Sequence, residues 1–133
     1  MPPLAITAVF VGLFALALVP LTGMVGYRRA QKNIHFLHGG DETLLRLMRA
    51  HGNFTETVPM ALLAMAAAEW TGTPAWALWT AGIALLAGRA IHAWSVATVG
   101  WSNARGYGML LTLFALGWFG TWALARGLAR LWS

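Results

Sequence analysis

Long apolar runs alternate with short polar segments and divide the chain of 133 residues into four predicted helices. The first runs from about Leu4 to Tyr27 and the fourth from about Gly106 to Ala125, both without a charged residue. Between them the pattern predicts a second helix over roughly Glu42 to Glu69 and a third over about Ala75 to Thr98. A bilayer core needs about 20 apolar residues per helix, so four spans fill nearly the whole chain. The sequence therefore predicts an all-α fold with one domain, a four-helix transmembrane bundle over residues 1–133.

Three short polar connections separate the predicted helices. The first, between Gln31 and Glu42, contains two adjacent glycines and ends near Asp41, which is predicted to cap the second helix. Residues 70–74 form a turn that ends in proline, and residues 100–105 form the third connection. These connections leave no room for a soluble domain.

The composition agrees with a membrane protein. Hydrophobic residues make up 59% of the chain and charged residues only 10%, and the mean hydropathy is +0.63. Nine Lys and Arg face only four Asp and Glu, but these basic residues lie at the ends of apolar runs and form no stripe interleaved with aromatic residues. That distribution argues against a nucleic-acid partner. Because the chain has no cysteine, any thiol chemistry must use a thiol that a ligand brings.

The distribution of basic residues predicts an orientation. Lys and Arg are absent from the N-terminus and the second connection, and they occur around the first and third, as Arg28, Arg29, Lys32 and Arg105. By the positive-inside rule, both basic connections lie in the cytoplasm. Two arginines near the C-terminus, on the opposite side, weaken this asymmetry. The N-terminal segment lacks the basic region of a signal peptide and its apolar run is too long for one, so we expect a retained helix.

One face of the second helix is polar. At about 100° per residue, the side chains on this face fall within an arc roughly 80° wide. His51 points away from the arc and is not included in the candidate site. The members of the arc are Arg46, Arg49, Asn53 and Glu56.

Two further polar residues, Arg89 and His92, share a face of the third helix, because they are three positions apart. Their depth matches the first half of the second helix, and Arg105 opens the fourth helix at the same level. An arginine or an acidic residue at the centre of a bilayer costs about 2.5–3.5 kcal/mol. We therefore expect this cluster to face the bundle interior or a subunit interface.

Two interpretations of the cluster are open at this point. In the first, Glu56 pairs with Arg49 or Arg89 and Asn53 bridges them, which fixes helix packing without binding anything. In the second, the arginines hold an anionic ligand, because they outnumber Glu56, the single anion at membrane depth. Guanidinium groups bind carboxylates bidentately, and a nearby guanidinium lowers the pKa of a thiol. The arginines near this face are Arg28, Arg29, Arg46, Arg49, Arg89 and Arg105.

No metal site is predicted. His35 and His38 lie in the first connection near Asp41, but their spacing is irregular and no pair of carboxylates completes a ligand set. We interpret them as solvated loop histidines.

Two motifs and one arginine resemble a known family. The stretch RLMRAHGNFTETVP, from Arg46 to Pro59, resembles the second-helix signature of the MAPEG family, the membrane-associated proteins in eicosanoid and glutathione metabolism. Further on, GRAIHAW, from Gly88 to Trp94, resembles the third-helix motif of the family. Arg105 falls where the family keeps a fourth-helix arginine. The resemblance covers the whole chain and is closest to short bacterial members with the HGN form of the signature.

The resemblance implies a four-helix bundle that assembles as a homotrimer and crosses the bacterial inner membrane several times. Glutathione would be the co-substrate, held between neighbouring subunits toward the cytoplasmic side, and a lipophilic co-substrate would arrive from the bilayer lipids. Arg105 would be the catalytic residue that stabilises the glutathione thiolate, with Arg46 supporting the site. The residues that would contact or frame glutathione are Arg28 or Arg29, Arg49, Asn53, Glu56, Arg89 and His92.

The activity that the resemblance implies is that of a microsomal-type glutathione transferase or peroxidase for lipophilic electrophiles. Three positions depart from the eicosanoid enzymes: Gly52 stands where some relatives have an arginine, Val96 where they have a tyrosine, and Gly106 where one has a serine. Without those groups, thiol activation rests mainly on Arg105. The alternative is a non-catalytic bundle that retains the cluster for assembly, or that binds an anionic lipid or metabolite.

Overall fold

The computed structural model describes residues 3–99 and 102–132, and in it the chain forms four α-helices. No strand occurs in the part of the chain that is described, so the predicted all-α four-helix fold is confirmed. The fourth helix begins before the apolar run that predicted it, which places Arg105 inside its first turn. Residues 100 and 101 of the predicted third connection lie outside the described ranges. The helices are α1 (Ala5–Lys32), α2 (Glu42–Trp70), α3 (Ala75–Thr98) and α4 (Asn103–Leu131).

Side-chain oxygens cap the beginnings of α2 and α4. The carboxylate of Asp41 accepts a hydrogen bond of 2.7 Å from the backbone N–H of Leu44, which confirms the predicted cap. The hydroxyl of Ser102 accepts one of 3.4 Å from the backbone N–H of Arg105. Such bonds matter because the first turn of a helix leaves its N–H groups without partners in the backbone.

The core of the bundle is aromatic and aliphatic, and all four helices contribute to it. The ring of Phe14 in α1 meets that of Phe54 in α2 edge-on, with 5.8 Å between the centroids. Rings packed in this way stabilise a fold beyond the apolar area that they bury. The large core side chains, each at most 5% exposed, include Phe10, Phe14, Phe54, Met65, Leu78, Leu85 and Phe119.

The helices α3 and α4 approach each other most closely at two glycines. A Cβ atom on Gly88 would lie 2.8 Å from the carbonyl oxygen of Gly108, and one on Gly108 would lie 2.8 Å from the backbone nitrogen of His92. Residues without a side chain permit such contacts. Because Gly108 follows Arg105 by one turn, this packing sets the start of α4 beside the polar part of α3.

The outer surface of the bundle is largely apolar. Leu16, Val19 and Leu124 are each at least 65% exposed. An apolar surface of this kind requires apolar surroundings, which a bilayer supplies. By length and composition, α1 and α4 can cross a membrane. Since α2 and α3 carry ionisable residues in their polar halves, the prediction that they also cross it stays a prediction.

Candidate ligand-binding site around Arg105

An open cavity of about 990 Å³ lies at the polar end of the bundle. One wall is the polar face of α2, so the four residues of the predicted arc line a single cavity. His51 is not part of that wall. Arg105 from α4 reaches the same cavity. The remaining lining comes from the first connection, from α3 and from smaller α2 residues. Its members are Leu37, His38, Leu45, Arg46, Met48, Arg49, Gly52, Asn53, Glu56, Val96 and Arg105.

A second cavity of about 450 Å³ lies against the first turns of α4. Arg105 lines this cavity as well, and among the residues that the structure describes it is the one that the two cavities share. His92, 1% exposed, places its Nδ1 atom 3.4 Å from the carbonyl oxygen of Arg105. The side chain of His92 in α3 and the backbone of Arg105 in α4 are therefore neighbours in space. The full lining is His92, Ser102, Asn103, Arg105, Gly106, Tyr107, Met109 and Leu110.

Arg89 is buried between α2 and α3, behind the wall of the larger cavity. It is 3% exposed, and its Nη1 atom donates hydrogen bonds of 3.1 Å to the carbonyl oxygen of Asn53 and of 3.1 Å to the hydroxyl of Thr57. The side chain of Asn53 in turn donates to the carbonyl oxygen of Arg49 at 3.1 Å. Arg89 thus supports the stretch of α2 that carries the polar arc.

The ionic packing network that the sequence left open takes a different form. Within residues 3–99 and 102–132, no ion pair joins Glu56 to Arg49 or Arg89. Glu56 is exposed and faces the larger cavity. Arg89 is held by a carbonyl and a hydroxyl group, so α2 and α3 are joined here without a second charge.

Arg28 and Arg29, which the resemblance assigns to glutathione, contact the first connection in the single chain. Arg28 binds Asp41 through Nη2 at 2.8 Å and through Nε at 3.2 Å, a two-point ion pair. Arg29 donates to the carbonyl oxygens of Ile34 at 3.4 Å and His35 at 3.3 Å. Neither arginine lines the two cavities described above. Their role as glutathione ligands stays a prediction.

Sequence reasoning missed Asp41 as an anion. It was assigned as a helix cap and weighed beside two loop histidines, but not as the partner of an arginine. Hydrogen bonds from Arg28 and from the backbone N–H of Leu44 hold the pKa of its carboxyl below the usual value of 3.8. One signal was available: α1 ends and α2 begins on the same side of the bundle, because the connection between them is short. The surplus of arginine over acid at this end is smaller than the sequence indicated.

The chain is similar to a known family of membrane proteins over nearly its whole length. The model of the MAPEG family matches residues 7–125, which includes the arc on α2, Arg89, His92 and Arg105. The chain belongs to the MAPEG family. The resemblance drawn from the two motifs is thereby confirmed.

Two relatives of this MAPEG chain are named as inner membrane proteins. Inner membrane protein YecN of Escherichia coli strain K12 is 34% identical over 87 residues, which is 65% of this chain and 66% of the relative. The protein of the same name from Escherichia coli O6:H1 strain CFT073 matches to the same extent. The chain thus spans slightly less than two thirds of the length of these relatives. Together with its apolar helices and apolar surface, family membership shows that this MAPEG chain is a membrane protein.

The three positions at which this MAPEG chain departs from the eicosanoid enzymes all face the cavities. Gly52 and Val96 line the larger one, and Gly106 lines the smaller one. A Cβ atom on Gly52 would meet only Glu56 Oε1, at 3.9 Å, and one on Gly106 would meet nothing within 4 Å. The backbone at both glycines therefore leaves room for a larger side chain, a point that the sequence alone did not reveal.

Proposed function

We propose that this MAPEG protein is a glutathione-dependent membrane transferase or peroxidase that acts on lipophilic electrophiles. The observation that carries the proposal is the position of Arg105, which lines both cavities. A hydrophilic thiol ligand in one cavity and a lipophilic molecule in the other would meet at its guanidinium group. Holding two reactants side by side is itself a large part of catalysis.

The larger cavity suits glutathione chemically. Glutathione carries two carboxylates, one ammonium group and one thiol. Arg46 and Arg49 offer guanidinium groups to the carboxylates, and Glu56 offers an anion to the ammonium. Asn53, on the same wall, adds an amide that donates and accepts hydrogen bonds.

The reaction requires the thiolate form of glutathione. A guanidinium group beside the sulfur stabilises the negative charge and lowers the pKa of the thiol. With a chloronitrobenzene, the thiolate sulfur attacks the carbon that bears chlorine, a C–S bond forms, and chloride leaves with the electron pair of the C–Cl bond. The thiol proton goes to solvent. With a hydroperoxide, two glutathione molecules are oxidised to the disulfide while the peroxide is reduced to an alcohol and water.

The smaller cavity suits the lipophilic partner. Leu110 and Tyr107 line it and are 62% and 64% exposed on the outside of α4. Met109 adds a flexible apolar side chain that adapts to ligands of different shape. A molecule dissolved in the bilayer would reach Arg105 from this side without crossing water.

The proposed assembly is a homotrimer in which a neighbouring subunit closes the larger cavity. All four helices would cross the inner membrane, with the first and third connections in the cytoplasm. Arg28 or Arg29 would then contact glutathione, as the family resemblance implies, while the buried Arg89 and His92 would frame the site from within the subunit. No metal takes part in this scheme.

The second candidate is a non-catalytic bundle that binds an anionic lipid or metabolite, or retains the cluster for assembly. One observation favours it: at Gly52, Val96 and Gly106 the cavity walls lack polar side chains that would assist thiol activation. Arg46 and Arg49 would serve a phosphate or carboxylate group equally well.

Glutathione binding separates the two candidates. Calorimetry on the detergent-purified wild type and Arg49→Ala, followed by conjugation of a chloronitrobenzene, tests both affinity and turnover. Arg126→Ala is the matched control, because it also removes one arginine but near the C-terminal end of α4, away from both cavities. The transferase predicts binding by wild type and control, with at least about tenfold weaker binding by Arg49→Ala, the loss of about 1.4 kcal/mol. No binding by wild type at millimolar glutathione would overturn the proposal in favour of the second candidate.

A further inference from the structure

A pair of serine hydroxyl groups joins α3 to the residue that starts α4. Ser95 in α3 is fully buried, with 0% of its surface exposed, and its Oγ atom hydrogen-bonds to Oγ of Ser102. A buried hydroxyl in an apolar bundle is costly unless it has such a partner. Ser102 also accepts the backbone N–H of Arg105 at 3.4 Å. One hydroxyl has a donor and two acceptor positions, so Ser102 makes both bonds at once.

The first turn of α4 is thereby fixed to α3 on both sides of Arg105. Three residues before it, Ser102 is bound to Ser95. Three residues after it, Gly108 packs against the backbone of α3 so tightly that a Cβ atom would lie 2.8 Å from the backbone nitrogen of His92. Between these two points, the carbonyl oxygen of Arg105 faces His92 Nδ1 at 3.4 Å. The segment of residues 102–108 is therefore held by three contacts with one neighbouring helix, and one of these involves the backbone of Arg105 itself.

We infer that the Ser95–Ser102 hydroxyl pair is a latch that positions Arg105 between the two cavities. This inference rests on the proposed function, because it assigns Ser95 as a positioning residue for the thiolate. The cap that Ser102 forms would orient the turn only with respect to its own helix. The bond to Ser95 ties that turn to α3, and a misplacement of about 1 Å at a reacting centre costs on the order of a hundredfold in rate.

The serine pair should control the pKa of the bound thiol, whereas the α2 wall of the larger cavity should control the affinity for glutathione. The carboxylate-binding arginines Arg46 and Arg49 lie on α2, which the serine pair does not touch. Loss of the latch should therefore leave the affinity for glutathione nearly intact while the thiol loses its stabilising neighbour. A rise in the pKa of the bound thiol and a fall in kcat, without a matching change in KM, is the signature of such a positioning residue.

The test uses Ser95→Ala, which removes the bond across the helices but keeps the cap at Ser102. Thr98→Ala is the matched control, because the exposed Thr98 hydroxyl donates to the carbonyl oxygen of Trp94 in its own helix. Three readouts are compared on the full-length protein: the pH dependence of the ultraviolet absorbance of bound thiolate, kcat and KM for a chloronitrobenzene, and hydrogen exchange of the amides of residues 104–108.

The latch predicts that Ser95→Ala raises the pKa of the bound thiol by about one unit and lowers kcat about tenfold, since one unit corresponds to a factor of ten. KM for glutathione should stay within about twofold. The amides of residues 104–108 should exchange faster than in wild type, whereas Thr98→Ala should match wild type in all three readouts. An unchanged thiol pKa and unchanged exchange in Ser95→Ala would overturn the inference.

A second pair of variants covers the case in which Ser95→Ala does not fold. Ser102→Ala removes the hydroxyl, and Ser102→Thr keeps it. The latch therefore predicts a raised pKa of the bound thiol in Ser102→Ala and the wild-type pKa in Ser102→Thr. Equal effects of both substitutions would contradict the latch. Failure of the proposed function is read separately: a wild type that binds no glutathione, or binds it without forming thiolate, overturns that function, while hydrogen exchange in the variants still decides whether the latch holds α4.

Discussion

Glu69 Oε2 accepts hydrogen bonds from both the backbone N–H of Thr7, at 2.7 Å, and the hydroxyl of Thr7, at 2.6 Å. Its other oxygen accepts the N–H of Ile6 at 2.9 Å. The carboxylate at the end of α2 therefore caps the start of α1, where the partial positive charge of the helix favours an anion. This link joins two residues that are 62 positions apart in the chain, at the start of α1 and the end of α2.

Removing this carboxylate should destabilise the bundle. Hydrogen bonds to a charged group contribute about 1.5–3 kcal/mol, so Glu69→Ala should lower the free energy of unfolding by roughly that amount. Glu42→Ala, at the exposed first turn of α2, is the control and should cost less than about 1 kcal/mol. Thermal unfolding in detergent measures both. Equal midpoints for the two variants would contradict the cap.

The glycine contact between α3 and α4 should not tolerate a methyl group. In Gly108→Ala the new Cβ atom would meet the carbonyl oxygen of Gly88 at 2.8 Å, so the helices must separate, at a cost of about 1–3 kcal/mol. Gly120→Ala in the same helix meets nothing within 4 Å, and it should be neutral or stabilising by up to about 1 kcal/mol. Thermal unfolding compares them. A Gly108→Ala protein as stable as Gly120→Ala would show that α3 and α4 are not packed as described.

The ion pair of Asp41 with Arg28 should make stability depend on acid pH. The pKa of Asp41 is lowered in the folded state, chiefly by the hydrogen bond from Arg28. Its contribution is therefore present above the ordinary pKa of 3.8 and is lost as the pH falls through the lower folded value. Asp41→Asn keeps a capping side chain but not the charge.

The measurement for this ion pair is the difference in unfolding midpoint between wild type and Asp41→Asn from pH 7 to pH 2. Taking the difference cancels the titration of the other acidic groups, which both proteins share. The wild type should be the more stable at pH 7, and its advantage should shrink toward pH 2. A difference that stays constant over this range would rule out the ion pair as its cause.

An arginine at position 52 should strengthen the larger cavity as an anion site. Its Cβ atom has space, and the side chain would extend toward Glu56 and the glutathione carboxylates. Gly52→Arg should tighten glutathione binding by about three- to tenfold, equivalent to about 0.6–1.4 kcal/mol. Thr55→Arg adds the same charge to α2 outside the cavity and should leave affinity unchanged. Calorimetry at moderate salt measures both affinities. Equal affinities of the two variants for glutathione would show that glutathione does not bind at this wall of the larger cavity.

The helices and the polar arc could be predicted because both depend on periodicity. Apolar runs of sufficient length fix where helices form, and the spacing of Arg49, Asn53 and Glu56 alone places them on one face. Arg105 could be placed at the same level as the arc, although only packing shows that it borders two cavities.

The remaining contacts depend on how separate helices meet, which local pattern does not contain. Nothing in the sequence pairs Glu69 with Thr7, or Ser95 with Ser102, because serine and threonine occur in membrane helices for many reasons. The partners of Arg89 could not be chosen from the sequence either: pairing with Glu56 was one open interpretation, and the structure instead shows a carbonyl and a hydroxyl group. Each of these contacts joins polar groups on different helices through hydrogen bonds, and residue type alone does not identify such partners.

The stabilisation of a glutathione thiolate by Arg105 is the central claim, and the ultraviolet absorbance of bound thiolate at neutral pH tests it most directly. The comparison is between wild type, Arg105→Ala and Arg105→Lys, with oligomer mass measured on the same samples. We expect thiolate in wild type, a reduced amount in Arg105→Lys, and little in Arg105→Ala, with glutathione still bound and the oligomer intact in all three. Undiminished thiolate in Arg105→Ala, or loss of the oligomer together with the signal, would contradict the account.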